Sequence, residues 1–208
     1  MMIKNLILDM GGVILDVDYK KIFEEFKKFG CKDMQSFFTQ QTQIPLVDDF
    51  EKGLISPARF RDEVRKITNL NTEDKDLDYI WNSMILGVRK KDVELLKVLR
   101  NKYEKIFLFS NTNEIHIESV KKLFFDNLGY DVFDLMFDKV YFSNEIHLRK
   151  PDVESFDFVV ADANINKTET LFIDDTSQNV SGAKQSGLNA YLLDNNQTLT
   201  EIFNKGII

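Results

Sequence analysis

Five short apolar runs, each bounded by polar residues or glycine, recur along this chain: Ile3–Leu8, Ile106–Phe109, Val140–Phe142, Leu171–Ile173 and Ala190–Leu193. Runs of this kind suit strands buried on both faces of a parallel sheet. Between most of them, apolar residues fall at helical spacing: Val93, Leu96 and Leu99; Ile117, Val120 and Phe124; Phe156, Val159 and Ala163. Strands alternating with helices imply right-handed βαβ crossovers. The pattern predicts a doubly wound, Rossmann-like α/β fold built on a parallel sheet.

The alternation breaks between Val17 and about Gly87, where no strand pattern stands out but helical periodicity is strong. Ile22, Phe23, Phe26 and Phe29 form one stripe; Phe60, Val64 and Ile67 a second; Leu77, Ile80, Trp81, Met84 and Ile85 a third. Ser56-Pro57 suits the start of a helix, because proline is tolerated in the first turn. The chain therefore divides into an α/β core over residues 1–16 and 88–208 and a small helical cap domain over residues 17–87, inserted after the first strand. An insert at that point lies over the crevice where such sheets bind ligands. Tyr19, Phe50, Glu51 and Trp81 are its candidates to face a ligand.

Composition narrows the function classes. A chain of 208 residues, 43% hydrophobic and 29% charged, is long enough for one sizeable core with a small insert and is not of disordered type. The net charge of -7 offers no basic stripe for nucleic acid. Any anionic substrate must then be held by local cations or a metal. Cys31 is the only cysteine, so no intramolecular disulfide forms, and a reducing compartment fits. No stretch is long and apolar enough to span a bilayer, and the early apolar run ends at once in Asp9, unlike a signal peptide. The expectation is a cytoplasmic enzyme with a small-molecule partner, neither nucleic acid nor membrane, as a monomer or a dimer.

The candidate chemistry sits where the apolar runs end. Asp9 closes the first run and is followed by Met10-Gly11-Gly12-Val13, whose glycines permit a tight turn and close ligand approach. The second run ends in Ser110-Asn111-Thr112. Arg149-Lys150-Pro151-Asp152 comes next, with the proline placed for a first helical turn and Lys150 for a cation beside it. The fourth run ends in Asp174-Asp175-Thr176. Taken singly, each has a plain structural role as a cap, a turn or a solvated lysine. Taken together, they converge on two or three carboxylates, a hydroxyl and a lysine at one sheet edge. Oxygen ligands of that kind suit magnesium, which commonly takes one or two carboxylates plus a substrate phosphate. With the phosphate charge neutralised, Asp9 can attack phosphorus, and Ser110 and backbone amides can hold the transferring oxygens.

These residues resemble the four motifs of the haloacid dehalogenase-like hydrolase superfamily. Motif one resembles Ile7-Leu8-Asp9-Met10-Gly11-Gly12-Val13, motif two Phe109-Ser110-Asn111-Thr112, motif three Arg149-Lys150-Pro151-Asp152 and motif four Ile173-Asp174-Asp175-Thr176. The insert matches the position of that family's type-one cap. Within the superfamily the chain is most similar to bacterial sugar-phosphate phosphatases of the glucose-1-phosphatase kind. The resemblance implies Asp9 as nucleophile and magnesium ligand, with the Gly11 carbonyl and Asp175 as further ligands. It implies Asp174 and Asn179 as supports to the metal site, and Ser110, Asn111 and Lys150 as phosphate-binding residues. The implied activity is magnesium-dependent hydrolysis of a small phosphomonoester, a sugar phosphate by analogy, through an aspartyl-phosphate on Asp9.

One departure matters most. Family phosphatases commonly carry a general acid/base aspartate two residues after the nucleophile, and here that position is Gly11. Leaving-group protonation then falls to water, to the substrate or to a nearby side chain, with Asp16, Asp18, His116 and His147 as candidates. His147 stands where relatives commonly have glycine, and a histidine titrates in the useful range. Gly11 also keeps two rivals open: a metal-independent haloacid-type dehalogenase, and a non-catalytic binder of a phosphorylated metabolite. The paired Asp174-Asp175 argues against the first, and the full set of Asp9, Ser110, Lys150 and Asp175 against the second. A phosphomutase is a weaker third, since mutases depend on the acid/base that Gly11 replaces.

Overall fold

A computed structural model describes residues 2–31, 45–194 and 196–208. Strands β1 (Asn5–Leu8), β2 (Leu15–Val17) and β3 (Ile85–Val88) are followed by β4 (Lys105–Ser110), β5 (Lys139–Phe142), β6 (Thr170–Asp174) and β7 (Asn189–Leu192). The five long-range strands form one parallel sheet in the order β5-β4-β1-β6-β7. The chain leaves β1 to build β4 and β5 on one side, then crosses to build β6 and β7 on the other. The strand order therefore switches at β1, which places the ligand crevice at its carboxyl end.

Alternation along the strands explains why their sequences read as unbroken apolar runs. Leu6 and Leu8, Ile106 and Leu108, and Leu171 and Ile173 point into one buried cluster. Ile7, Phe107, Phe109 and Phe172 point into a second cluster on the opposite face. Helices cover both faces, so each residue of the pleat meets a core. Phe156 packs edge-on against Phe109 and Phe172, with ring centroids 5.6 and 5.2 Å apart. Burying each of these large side chains contributes about 1.5–3 kcal/mol.

The helices are α1 (Lys20–Lys28), α2 (Pro45–Glu51), α3 (Pro57–Thr68), α4 (Asp74–Asn82), α5 (Lys90–Lys102), α6 (Glu114–Leu128), α7 (Val132–Met136), α8 (Ser143–Ile146), α9 (Val153–Asp162), α10 (Ser177–Ser186) and α11 (Leu199–Asn204). Helices α1 to α4 share their own core of Ile22, Phe26, Phe50, Phe60, Val64, Leu77, Ile80 and Trp81, where Phe50 and Phe60 stack at 4.1 Å. As expected, Pro57 opens α3 behind Ser56, whose side chain accepts from the Arg59 N–H at 3.3 Å. No helix among the described residues is long and apolar enough to cross a membrane.

Three expectations need correction. The stretch from Val17 to Gly87 does contain strand: β2 and β3 pair antiparallel, Leu15 opposite Val88 and Val17 opposite Ile85. Met84 and Ile85 therefore lie beyond the end of α4 rather than on its stripe. Their short apolar run looks the same at helical or strand period, and only pairing with β2 decides it. Phe29 and Ile67 are exposed rather than part of the core stripes; at the end of α3, Thr68 is buried instead, its hydroxyl donating to the Val64 carbonyl. Pro151 does not open a helix either: α9 starts at Val153, two residues later.

Candidate active site

The carboxyl ends of β1, β4 and β6 and the loop before α9 bring the motif residues together. Asp9 follows β1 directly, and its N–H donates to the Ile173 carbonyl at 2.9 Å, which fixes it beside the end of β6. After it the chain folds back tightly, with the Met10 carbonyl accepting from the N–H groups of Val13, Ile14 and Leu15. Gly12 sits in this turn at φ +67°, and a Cβ there would lie 2.0 Å from Asp175 Oδ2. Only glycine tolerates both that backbone conformation and that contact. Arg89 anchors the turn from outside, donating to the Gly12 carbonyl and, at 2.6 Å, to Asp16 Oδ1.

Lys150 is the centre of the charge arrangement. It is 1% exposed, and its ammonium donates to Asp9 Oδ1 at 2.7 Å and to Asp174 Oδ2 at 2.6 Å. Burial pushes this ammonium down, but Asp174 and Asp9 outweigh it and hold its pKa above the ordinary lysine value. Burial pushes the Asp9 carboxyl up, with Asp174 and Asp175 adding to the effect and Lys150 opposing it. Asp175 is likewise raised, chiefly by burial and then by Asp174. Carboxylate oxygens of Asp9, Asp174 and Asp175 all lie within 4.8 Å of one another. Three carboxyl groups share a single ammonium, a deficit of positive charge in a mostly buried site. Hard oxygen donors with that deficit fit a divalent cation of the magnesium type.

The supporting residues are fully engaged. Asp174 is 0% exposed and accepts from Asn179 Nδ2 at 3.1 and 3.0 Å and from the Thr176 N–H at 2.8 Å. Lys150 and these donors saturate it, while Asp175 accepts from the Thr176 hydroxyl at 3.2 Å. Asn111 grips Lys150 by its backbone: the amide donates to the Lys150 carbonyl at 2.8 Å and accepts from its N–H at 2.9 Å. These two bonds fix the Lys150 backbone against Asn111, which also lines the cavity. Ser110 is buried, with one long contact of 3.5 Å to the Asn111 carbonyl, which leaves its hydroxyl available.

A cavity of about 490 Å³ opens over these groups, lined by Asp9, Gly11, Ser110, Asn111, Lys150, Asp175 and Asn179. That volume suits a small metabolite. The helical insert contributes Tyr19, Asp48 and Glu51, and the core adds Arg149, Thr176 and Gln178. Of the four insert residues considered from sequence, Tyr19 and Glu51 line the cavity. Phe50 and Trp81 belong to the insert's own core.

Neither histidine is placed as an acid. His116 lines the cavity, but both ring nitrogens are committed. Nε2 donates to the Trp81 carbonyl at 3.1 Å, so Nδ1 carries the lone pair and accepts from Asn113 Nδ2 at 3.0 Å. Burial pushes its pKa down to about 4, keeping it neutral. His147 is exposed, outside the cavity lining, and its Nδ1 donates to the Lys52 carbonyl at 2.8 Å. Asp16 is tied to Arg89, and Asp18 accepts the Lys20 N–H at 3.0 Å; neither lines the cavity.

A lysine thus bridges the carboxylates that follow β1 and end β6, with a serine at the end of β4. The haloacid dehalogenase-like hydrolase family model matches residues 3–187. The chain belongs to that family. Among the hydrolase's relatives is the D-ribitol-5-phosphate phosphatase of Bacteroides thetaiotaomicron, 30% identical over 98% of this chain and 100% of that protein. A HAD family enzyme of the same organism, an aspartate-to-alanine variant in complex with magnesium and inorganic phosphate, superposes with a TM-score of 0.91. It is 36% identical, covering 97% of this chain and 98% of its own. The L-2-haloacid dehalogenase of Xanthobacter autotrophicus matches at a TM-score of 0.59 and 17% identity, over 92% of this chain and 78% of its own. That likeness is one of fold alone.

Proposed function

We propose that this hydrolase is a magnesium-dependent phosphatase of small phosphomonoesters, acting on a sugar phosphate through an aspartyl-phosphate formed on Asp9. The observation that carries the reading is the buried Lys150 bridge between Asp9 and Asp174, with Asp175 alongside as a third carboxyl group around one ammonium. The relatives that act on D-ribitol 5-phosphate, or that bind magnesium and phosphate, support it. A dehalogenase needs no metal and has no use for such a surplus of carboxylate. In this reading residues 1–16 and 88–208 form the catalytic core, and residues 17–87 form a cap that closes the leaving-group side.

Asp9, Asp175 and the Gly11 carbonyl would hold the magnesium ion, with Asp174 and Asn179 supporting them. When bound, the ion supplies positive charge that offsets the repulsion between a carboxylate and a phosphate dianion. Lys150 and Ser110 hold phosphate oxygens. The free oxygen of Asp9 attacks phosphorus, the bond from phosphorus to the leaving oxygen breaks, and that oxygen takes a proton. Water then attacks phosphorus and releases inorganic phosphate and Asp9.

Gly11 decides where the proton comes from. A Cβ there would meet nothing closer than the Val17 methyls at 3.6 and 3.7 Å, so packing does not force glycine at this position. With both histidines otherwise engaged, the proton comes from cavity water or from a hydroxyl of the substrate itself. Turnover of poor leaving groups is correspondingly slow beside that of aryl phosphates. The test is phosphate release from an aryl phosphate and a panel of sugar and polyol phosphates, with magnesium and with chelator. Magnesium-dependent release, abolished by chelator, is the expected result. Release from no compound, or release indifferent to chelator, would refute the reading.

A further inference from the structure

Helix α2 contributes residues to the lining of the cavity that holds Asp9 and Lys150. Glu51, its last residue, is buried and lines the same cavity as Asp9, Lys150 and Asp175. Arg149 Nη2 lies 2.8 Å from Glu51 Oε2, and Arg149 Nη1 donates to Asp48 Oδ1 at 3.0 Å. Arg149 directly precedes Lys150, whose backbone Asn111 holds on both sides. The position of the Glu51 carboxylate is therefore fixed relative to the phosphate-binding lysine.

The rest of α2's seam is equally close. His147 donates to the Lys52 carbonyl, and a Cβ on Gly53, at φ +65°, would lie 2.2 Å from the Asn144 carbonyl. The insert is pressed against the core at this edge, so Glu51 sits on a rigid support. Arg149 Nε is buried with no hydrogen-bond partner among the described residues. The cavity edge thus presents the Glu51 carboxyl group, held by Arg149.

The charges here select against a second anion. Arg149 is the one cation lining this half among the described residues, and Asp48 and Glu51 both occupy it. A carboxylate or second phosphate on the leaving group would meet Glu51 and Asp48 with no uncommitted cation to pair with. Hydroxyl groups meet no such penalty. They can donate to the Glu51 carboxylate, which has acceptor sites beyond those its ion pair with Arg149 uses.

Resting on the phosphatase reading above, we infer that Glu51, held by Arg149, reads the hydroxyls of an uncharged polyhydroxy leaving group, so that the substrate is a monophosphate of a polyol or neutral sugar. Glu51 is thus a specificity residue, and the Arg149 ion pairs set the distance at which it measures the substrate.

The experiment compares kcat/KM for three magnesium-supported substrates: a linear polyol monophosphate, a straight-chain alkyl monophosphate and a polyol bisphosphate. Polyol and alkyl phosphates have similarly poor leaving groups, so their ratio reports recognition rather than bond chemistry. The polyol monophosphate should exceed each of the others by about 100-fold or more, as in sites built to bind a hydroxyl. Glu51→Gln should reduce the polyol-to-alkyl ratio about 10- to 100-fold, the loss of a charge-assisted hydrogen bond. Arg149→Lys, which keeps the charge but loses the two-pronged hold, should reduce that ratio in the same direction. Equal use of the alkyl phosphate or the bisphosphate by the wild type would overturn the inference while leaving the phosphatase reading in place. So would an unchanged ratio in Glu51→Gln. No release from any of the three, nor from an aryl phosphate, would overturn both.

Discussion

Asp9→Asn lowers phosphate release by about 10⁴-fold or more, the scale seen when a covalent nucleophile is removed, while the protein stays folded. The separation of the two effects follows from the charges around Asp9. Asp9 is buried beside two further carboxylates, and burial together with those neighbours already works against its ionised form. Asparagine removes that repulsion and keeps the shape. Lys150 loses one partner but retains Asp174 at 2.6 Å, so a balanced ion pair remains. The melting temperature, read by circular dichroism in the absence of metal, should move by no more than about 4 °C, equivalent to roughly 1 kcal/mol for a domain of this size. A variant that releases phosphate near the wild-type rate would remove Asp9 from the mechanism. A variant that fails to fold would show that Asp9 matters to the structure in a way its contacts do not explain.

Lys150→Met produces the opposite balance, a large loss of both stability and activity. Methionine fills much of the same volume, but it leaves Asp9 and Asp174 facing each other in a buried site with Asp175 nearby. Removing one partner from a buried ion pair costs about 3–5 kcal/mol. The expected fall in melting temperature is about 6–20 °C, measured in chelator so that bound cations do not mask it. Phosphate release falls about 10³-fold, because a preorganised cation at the transferring phosphoryl group is lost. Added magnesium should restore more stability to this variant than to the wild type, since it supplies positive charge in place of the lost ammonium. Unchanged stability in chelator would mean that the carboxylates protonate at little cost, and that Lys150 serves phosphate alone.

The sheet was legible in the sequence because its strands are buried on both faces. Leu6, Ile7 and Leu8 alternate between two cores, yet every position is apolar. Asp9, Ser110 and Asp174-Asp175 were legible for the same reason, since each stands at the end of a strand that the pattern marks, whereas Lys150 lies in the loop before α9. β2 and β3 were not: three or four residues of half-buried strand carry too little periodicity, and their register depends on a partner about 70 positions away. The acid/base candidates failed on a different count. His116 and His147 have suitable intrinsic chemistry, but the Trp81 and Lys52 carbonyls that occupy them are contacts no local pattern encodes. The same holds for the seam at Arg149, whose partner Asp48 lies 101 positions away. The motif marked Arg149 as a neighbour of Lys150, but nothing in the sequence indicated that it reaches helix α2.

The central claim is that phosphate passes through Asp9 as a covalent acyl phosphate. The measurement that tests it most directly is an acid quench of the magnesium-loaded enzyme during turnover of an aryl phosphate, followed by borohydride reduction and peptide mapping. The account predicts homoserine at position 9 in the quenched enzyme and none when substrate is left out. Phosphate release with Asp9 unmodified, or with the reduced residue found elsewhere in the chain, would contradict it.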